Sequence, residues 1–376
     1  MATIHVHDTW AAVDAEEWDA LVAGGSPFLE SPFLFGLEQT GCAVADRGWA
    51  PRPILVRDDD GRLLAGAPAW LKNHSMGEFV YDHGWAHAAE QAGIPYYPKL
   101  IVGVPFSPVT GERLLVRPGE DRERWVPALL QGLNELLKES AHGLHVLFDP
   151  GAEARELERY GAFTRLQYQF HWTNEGYERY ADFLARFRSS ARKKLRRERR
   201  EVGDLRIERV VAPSAEQMDY LFGFYADTCE KYVWGRRYLN RAFFQHLART
   251  WSHRVLGVLA WDGDRCVAGA FDVFKGDRLY GRYWGCHEDV KFLHFEVCYH
   301  QGIEFCIERG LQVFEPGHGG EHKYRRGFLP TLTYSSHWFP DPRLSAGLGD
   351  FAQREAAAVR RQVHDLRERA PLKDVS

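Results

Sequence analysis

The sequence predicts an α/β protein made of two similar domains in tandem, and three observations lead there. The chain has 376 residues, enough for about two domains of 100–200 residues each. It also repeats itself. Residues 54–72 read ILVRDDDGRLLAGAPAWLK and residues 256–275 read LGVLAWDGDRCVAGAFDVFK; from Arg62 to Lys72 and from Arg265 to Lys275 the two align without a gap at an offset of 203. Each copy is an apolar run, an Asp-Gly turn and a second apolar run, the pattern of a β-hairpin. Such an offset is too long for a solenoid repeat and suits tandem domains. Third, helical and strand patterns alternate around both hairpins.

In the first half the spacing of apolar residues predicts helices over 15–22 and 33–39. The hairpin follows, then an irregular aromatic stretch over 73–97, a helix over 122–139 and a strand over 144–148. In the second half Ser214 opens a helix with Gln217 three residues on, a capping-box signature. After the second hairpin come a strand over 278–285, a helix over 294–309 closed by Gly310, and a strand over 312–315. In that helix Phe295, Cys298, Tyr299, Gly302, Ile303 and Cys306 fall on one face, while Glu296, His300, Gln301, Glu304 and Glu308 form the face expected to be wet. A last amphipathic helix is expected over 351–369. The domain reading is 1–180, a basic connecting helix over 181–204, 205–345, and a C-terminal helix and tail over 346–376.

Apolar residues make up 45% of the chain and charged ones 27%, which excludes disordered and collagen-like classes. The 12 Trp, 16 Tyr and 23 Phe point to aromatic-lined clefts. The net charge of −4 hides one polarised stretch: residues 186–201 carry nine basic and two acidic side chains, leaving the remainder at −11. A protein that binds nucleic acid over its whole surface is therefore not expected, whereas one local anion-binding strip is. None of the six cysteines forms a C-x-x-C pair, which reads as thiols in a reducing compartment. The chain shows no signal-peptide pattern and no apolar run of membrane-spanning length, so a cytoplasmic location is expected.

Two segments carry the densest chemistry. The basic run FRSSARKKLRRERREV has Phe187, Ala191, Leu195 and Val202 along a narrow stripe. A helix there can rest on a domain while Arg192 and Arg196 present forked donors to phosphate; a solvated linker helix is the alternative. The segment GHGGEHKYRRGF, Gly317 to Phe328, follows a predicted strand, where loops of an α/β sheet present ligand-binding groups. Here Glu321 or His322 can serve as the base for an attacking amine. Amides near Gly319 and Gly320 can hold an oxyanion, and Tyr283 or Tyr324 can act as the acid. Lys323 and Arg326 suit an anionic donor group. The spacing His318-Gly-Gly-Glu321-His322 also matches an inverted zinc-peptidase pattern, but its glycines oppose the helix that chemistry needs, so no metal is expected. In the first half His74, Glu78, Asp82 and His83 are candidates for a binding wall, or for a packed irregular core in which they satisfy one another. Dinucleotide, P-loop and G-x-S-x-G motifs are absent from the sequence.

SPFL (26–29), LEQTG (37–41), KNHSMGEFVYDHGWA, YYPKL, PFSPVTGERLL and HFEVCYHQGIEFCIERGL…FEPGHGGEHKYRRGFLPTLTYSSHW resemble the FemAB-like family of N-acyltransferases, over about 26–338. The resemblance implies two tandem GNAT-like domains of the acyl-CoA N-acyltransferase fold, each a mixed twisted sheet flanked by helices. It also implies transfer of an acyl or aminoacyl group from an activated donor to a primary amine on a small molecule or peptide. In this family the loop reads Gly-Ala-Gln-Gly-Glu-His-Lys, and this chain has His318 where Gln is usual. Ordinary GNAT enzymes carry an R/Q-x-x-G-x-G/A loop for the CoA pyrophosphate after the fourth strand; this chain reads CHEDVKFLHFE there. Acyl-CoA and aminoacyl-tRNA therefore both stay open as co-substrate, with no other cofactor required. The alternative function is a non-catalytic binding protein that holds nucleic acid or an anionic envelope precursor on the basic helix.

Overall fold

The computed structural model describes residues 2–231 and 236–373. The chain divides into two compact units, residues 1–167 with 332–360, and residues 168–331 with 361–376. The chain thus passes between units at 167/168, 331/332 and 360/361, rather than near 180, 204 and 345. The basic segment is part of the second unit because its apolar stripe packs into that unit's core: Phe187, Leu195 and Val202 are all buried there.

The first unit opens with β1 (Thr3–Val6), α1 (Ala15–Val22) and α2 (Ser31–Gln39). Asp14 caps α1 by accepting from the Glu17 amide, as an N-cap acid should. Next come β2 (Trp49–Pro51), the hairpin strands β3 (Ile54–Arg57) and β4 (Leu63–Ala67), and β5 (Ala69–Lys72). They are followed by α3 (His83–Gln91), β6 (Lys99–Val102), β7 (Leu115–Val116), α4 (Arg122–Ser140), β8 (Leu144–Asp149) and α5 (Gly151–Glu158). One sheet has the order β1-β3-β4-β7, and β2, β5, β6 and β8 are neighbours in a second. In the latter β5 and β6 are antiparallel, and β6 and β8 are parallel, with α4 as the crossover between them. The stretch expected to be irregular over 73–97 therefore contains a helix, α3.

The second unit takes residues 168–173 of β9 (Phe163–Thr173), then α6 (Tyr180–Ala185), α7 (Ser189–Arg200), β10 (Arg206–Val211), α8 (Ala215–Lys231) and α9 (Arg241–Thr250). Ser214 and Gln217 exchange the two hydrogen bonds of the expected capping box. The long hairpin β11 (Val255–Asp262) and β12 (Arg265–Lys275) leads into β13 (Arg278–Cys286). A helical segment follows, made of α10 (Leu293–Phe295), a π-turn over Glu296–His300 and α11 (Gln301–Arg309). After it come β14 (Val313–Glu315) and the short α12 (Glu321–Tyr324). β11, β12 and β13 are antiparallel, and β13 and β14 are parallel. Each unit thus runs hairpin, antiparallel strand, crossover helix, parallel strand, as the repeat predicts. The fold is two tandem α/β units, each a mixed sheet flanked by helices. The remaining elements are β15 (Leu329–Trp338), whose residues 334–338 pair with β8, and α13 (Pro342–Glu368).

Two expectations change here. The face of 294–309 expected to be wet is largely covered. Glu296 and Glu304 both pair with Arg199 of α7, at 2.7 and 2.6 Å, and His300 bonds the Tyr180 hydroxyl of α6. The π-turn adds a residue to one turn and so rotates the faces that a regular period predicts. Most of the large rings are core rather than cleft lining: Trp10, Trp18, Trp49, Trp70, Trp172 and Trp251 are among the largest fully buried side chains.

One close approach shapes the second unit. A Cβ at Gly285 of β13 would overlap the backbone carbonyl of Phe224 in α8, so the bare backbone lets helix and strand meet. Gly285→Ala is expected to cost about 1–3 kcal/mol, read as a lower urea midpoint with an unchanged m-value. Among the described residues, no helix is long and apolar enough to cross a membrane.

Candidate functional site

The site follows from where two parallel strands part. β13 and β14 pair only over Arg278–Tyr280 and Val313–Glu315. At Gly281 the strands are so close that a Cβ would meet the Pro316 Cα at 3.1 Å. Beyond it β13 continues to Cys286 while the other chain turns off into the glycine segment. A crevice at the carboxyl ends of parallel strands is a recurrent ligand position, and here it is a cavity of about 750 Å³. β13 contributes Tyr283 and Trp284, the turn contributes Gly319, Gly320, His322 and Lys323, and the π-turn contributes Cys298 and Tyr299. Asp272 of β12 and Tyr225 of α8 complete it. A π-turn at such a wall is a common functional feature.

The turn is held by its own side chains. Lys323 is 3% exposed, and its Nζ donates to the carbonyls of Gly317 and His318 at 2.7 and 3.1 Å. Burial, opposed by the nearby Cys298 and helped by Arg282, brings its ammonium down to about 8. His322 Nε2 lies 2.8 Å from the Tyr299 hydroxyl. Burial, then Lys323 and Arg326, hold its imidazole below the usual histidine range. His294, whose ring lies 5.5 Å from that of His322, is brought down to about 3, chiefly by burial. The imidazoles here are therefore neutral at pH 7. Gly320, at φ 85°, takes a conformation that favours glycine, and a side chain there would strike the His322 ring.

The residues singled out from the sequence separate into groups. Tyr283, Gly319, Gly320, His322 and Lys323 come together in this cavity. Glu321 is exposed and lines a neighbouring cavity of about 450 Å³ with Lys194, Arg197, Arg325 and Phe295; His322 borders both. Tyr324 lines neither of these two cavities, because its hydroxyl donates to the Leu366 carbonyl at 2.7 Å, so it is not placed to be the acid. Arg326 is 4% exposed. It donates to Glu198 and to the His322 carbonyl, both at 2.7 Å, and lies 3.2 Å over the Phe295 ring. It therefore ties the turn to α7 and is not free for a donor phosphate. Arg196 lines a third cavity of about 540 Å³ with Lys193, Lys194, Arg197 and Arg200; Arg192 lies on the same helix but lines none of the three. Gly317, Gly319 and Gly320 all have positive φ, so the His318–His322 spacing forms no helix.

In the first unit Glu78 and Asp82 are buried against Lys99, which bonds Glu78 at 2.7 Å and also pairs with Asp82. Lys72 bonds His74 Nδ1 at 2.7 Å and lies 3.6 Å from Glu78. His83 is exposed at the start of α3. The first three candidates thus form a packed ionic core, the alternative the sequence left open. Asp272 escaped the sequence reading, although a signal was present: it is the only charged residue in the run CVAGAFDVF.

A family model described as FemAB-like, peptidoglycan biosynthesis/recognition, matches residues 9–374. The crystal structure of FemX, 12% identical, superposes with a TM-score of 0.54 over 92% of this chain and 100% of that one. A conserved protein of unknown function from Bacteroides thetaiotaomicron is 11% identical, with a TM-score of 0.51 over 89% and 99%. L-PGS from Bacillus licheniformis is 10% identical, with a TM-score of 0.51 over 91% and 96%. At these identities the likeness is one of fold. No curated protein shows significant similarity to the chain.

Proposed function

The chain belongs to the FemAB-like family, and from that membership we propose that it transfers an acyl or aminoacyl group from an activated donor to a primary amine in the second-unit cavity. One observation carries the reading: where β13 and β14 part, a histidine bonded to the Tyr299 hydroxyl, a buried lysine and a glycine turn converge on one space. The amine nitrogen attacks the donor carbonyl carbon. A new C–N bond forms and the carbonyl electron pair moves to oxygen, where amides of Gly319 and Gly320 and the Lys323 ammonium offset the charge. His322 takes the proton from nitrogen. The tetrahedral intermediate then expels a thiolate (C–S cleavage, acyl-CoA) or a ribose hydroxyl (C–O cleavage, aminoacyl-tRNA), and the proton on His322 or the Tyr283 hydroxyl neutralises it.

The test is mass spectrometry of the purified protein with acyl-CoA or charged-tRNA pools and an amine-bearing peptidoglycan-type peptide. An amide product from one donor class is expected, and no amide from either overturns the proposal. The cations lining the third cavity favour a second reading, in which α7 holds a polyanion without chemistry. That reading expects log K to fall steeply against log salt, with Arg196→Ala and Arg200→Ala reducing the slope.

A further inference from the structure

Asp272 is a buried acid that the fold does not require. Across the internal repeat, its counterpart in the first unit is Ala69, which occupies the matching strand of that hairpin region with a methyl group. Asp272 pairs with Gly281 in the β12–β13 ladder, where the register shifts by one residue. Its side chain is 2% exposed, and its Oδ2 has no hydrogen-bond partner among the described residues. An unmade hydrogen bond of this kind destabilises a fold. Other buried acids in the second unit are compensated: Glu198 by Arg326 and Glu315 by Arg278. Burial alone drives the Asp272 carboxyl well above the usual carboxylate range.

The surroundings say what would complete it. Asp272 lines the cavity with Cys298 and Tyr299 of the π-turn, whose ionisation its carboxylate opposes, and an aromatic face such as that of Tyr299 attracts cations. Three cations line the same cavity, and each has a partner other than Asp272. Lys231 donates to the Cys286 carbonyl at 2.7 Å. Lys323 is turned to the Gly317 and His318 carbonyls, and the Arg282 guanidinium lies over the Tyr283 ring at 5.4 Å. We infer that Asp272 is the receptor for a primary ammonium group of the substrate, paired with it inside this cavity. This rests on the transfer reading of the cavity and narrows its substrates to those with a charged amine there. That amine is either the α-ammonium of an aminoacyl donor or the side-chain ammonium of the acceptor.

Calorimetry without any donor tests the inference, with L-alaninamide mimicking the first source, Nα-acetyl-lysinamide the second and n-butanol as an uncharged control. The wild-type protein is expected to bind one of the two amines. Asp272→Asn should weaken that binding about 10–100-fold and leave n-butanol unchanged. Which amine binds identifies the source. Asp272→Ala, which installs the group already tolerated at Ala69, serves if the amide variant does not fold. Equal amine affinity in the folded variant, or no binding of either amine to wild type, overturns the inference. The two proposals fail separately. Amine binding through Asp272 with no amide formed from any donor sinks only the transfer reading. Amide formation with an unchanged amine KM in the variant sinks only this one.

Discussion

Replacing Lys99 with methionine is expected to destabilise the first unit by about 3–5 kcal/mol, the usual cost of leaving buried charges without their partner. Lys99 is fully buried, and it bonds Glu78, Asp82 and the Ser75 hydroxyl. Burial works against the charge on Asp82, but Lys99, with His145 behind it, overcomes this and holds the carboxyl below its usual range. Tyr96 adds a hydrogen bond to the same carboxylate at 2.6 Å. Without the ammonium, two carboxylates face each other in the core, with only Lys72 left near Glu78. The measurement is the urea midpoint of the first transition. The triple variant Lys99→Met, Glu78→Gln, Asp82→Asn should recover most of the loss, because neutral groups of the same shape carry no charge to desolvate. A single variant as stable as wild type would return these acids to the list of binding residues.

That cluster shows how far a sequence reaches. The residues of KNHSMGEFVYDHGWA were legible as a polar, aromatic knot, but their partner Lys99 lies 17 residues beyond Asp82 and only the fold brings it in. The same limit applies to Arg326. Its charge was visible and its ion pair with Glu198, 128 positions away, was not. Where local pattern decides, the reading was good. The Asp-Gly hairpins, the Ser214 cap and the Phe187–Val202 stripe all depend on neighbours in sequence. The helix over 294–309 marks the boundary, because its apolar face was correctly identified while a π-turn and the cover of α6 and α7 buried the opposite one. Asp272 was legible in principle, as an acid where the repeat has alanine.

The turnover of the cavity should have a bell-shaped dependence on pH, and its two limbs belong to neighbouring residues. His322 accepts a proton only when neutral. Burial, Lys323 and Arg326 lower its imidazole below 6.5, so kcat falls only as pH drops below the ordinary histidine range. Lys323 must be charged to offset the oxyanion and hold the Gly317 and His318 carbonyls. Its ammonium titrates at about 8, so the rate falls again as pH rises through that value. His322→Gln is expected to lower kcat by about 10²–10⁴-fold, remove the acid limb, keep the alkaline limb and leave the melting temperature nearly unchanged. Lys323→Arg should carry the alkaline limb out of range, because a guanidinium stays charged. Glu321→Gln should change little, since Glu321 lines the other cavity. An acid limb that survives in His322→Gln would take the base role from this histidine, and a large loss in Glu321→Gln would move the chemistry to the neighbouring cavity that His322 also borders.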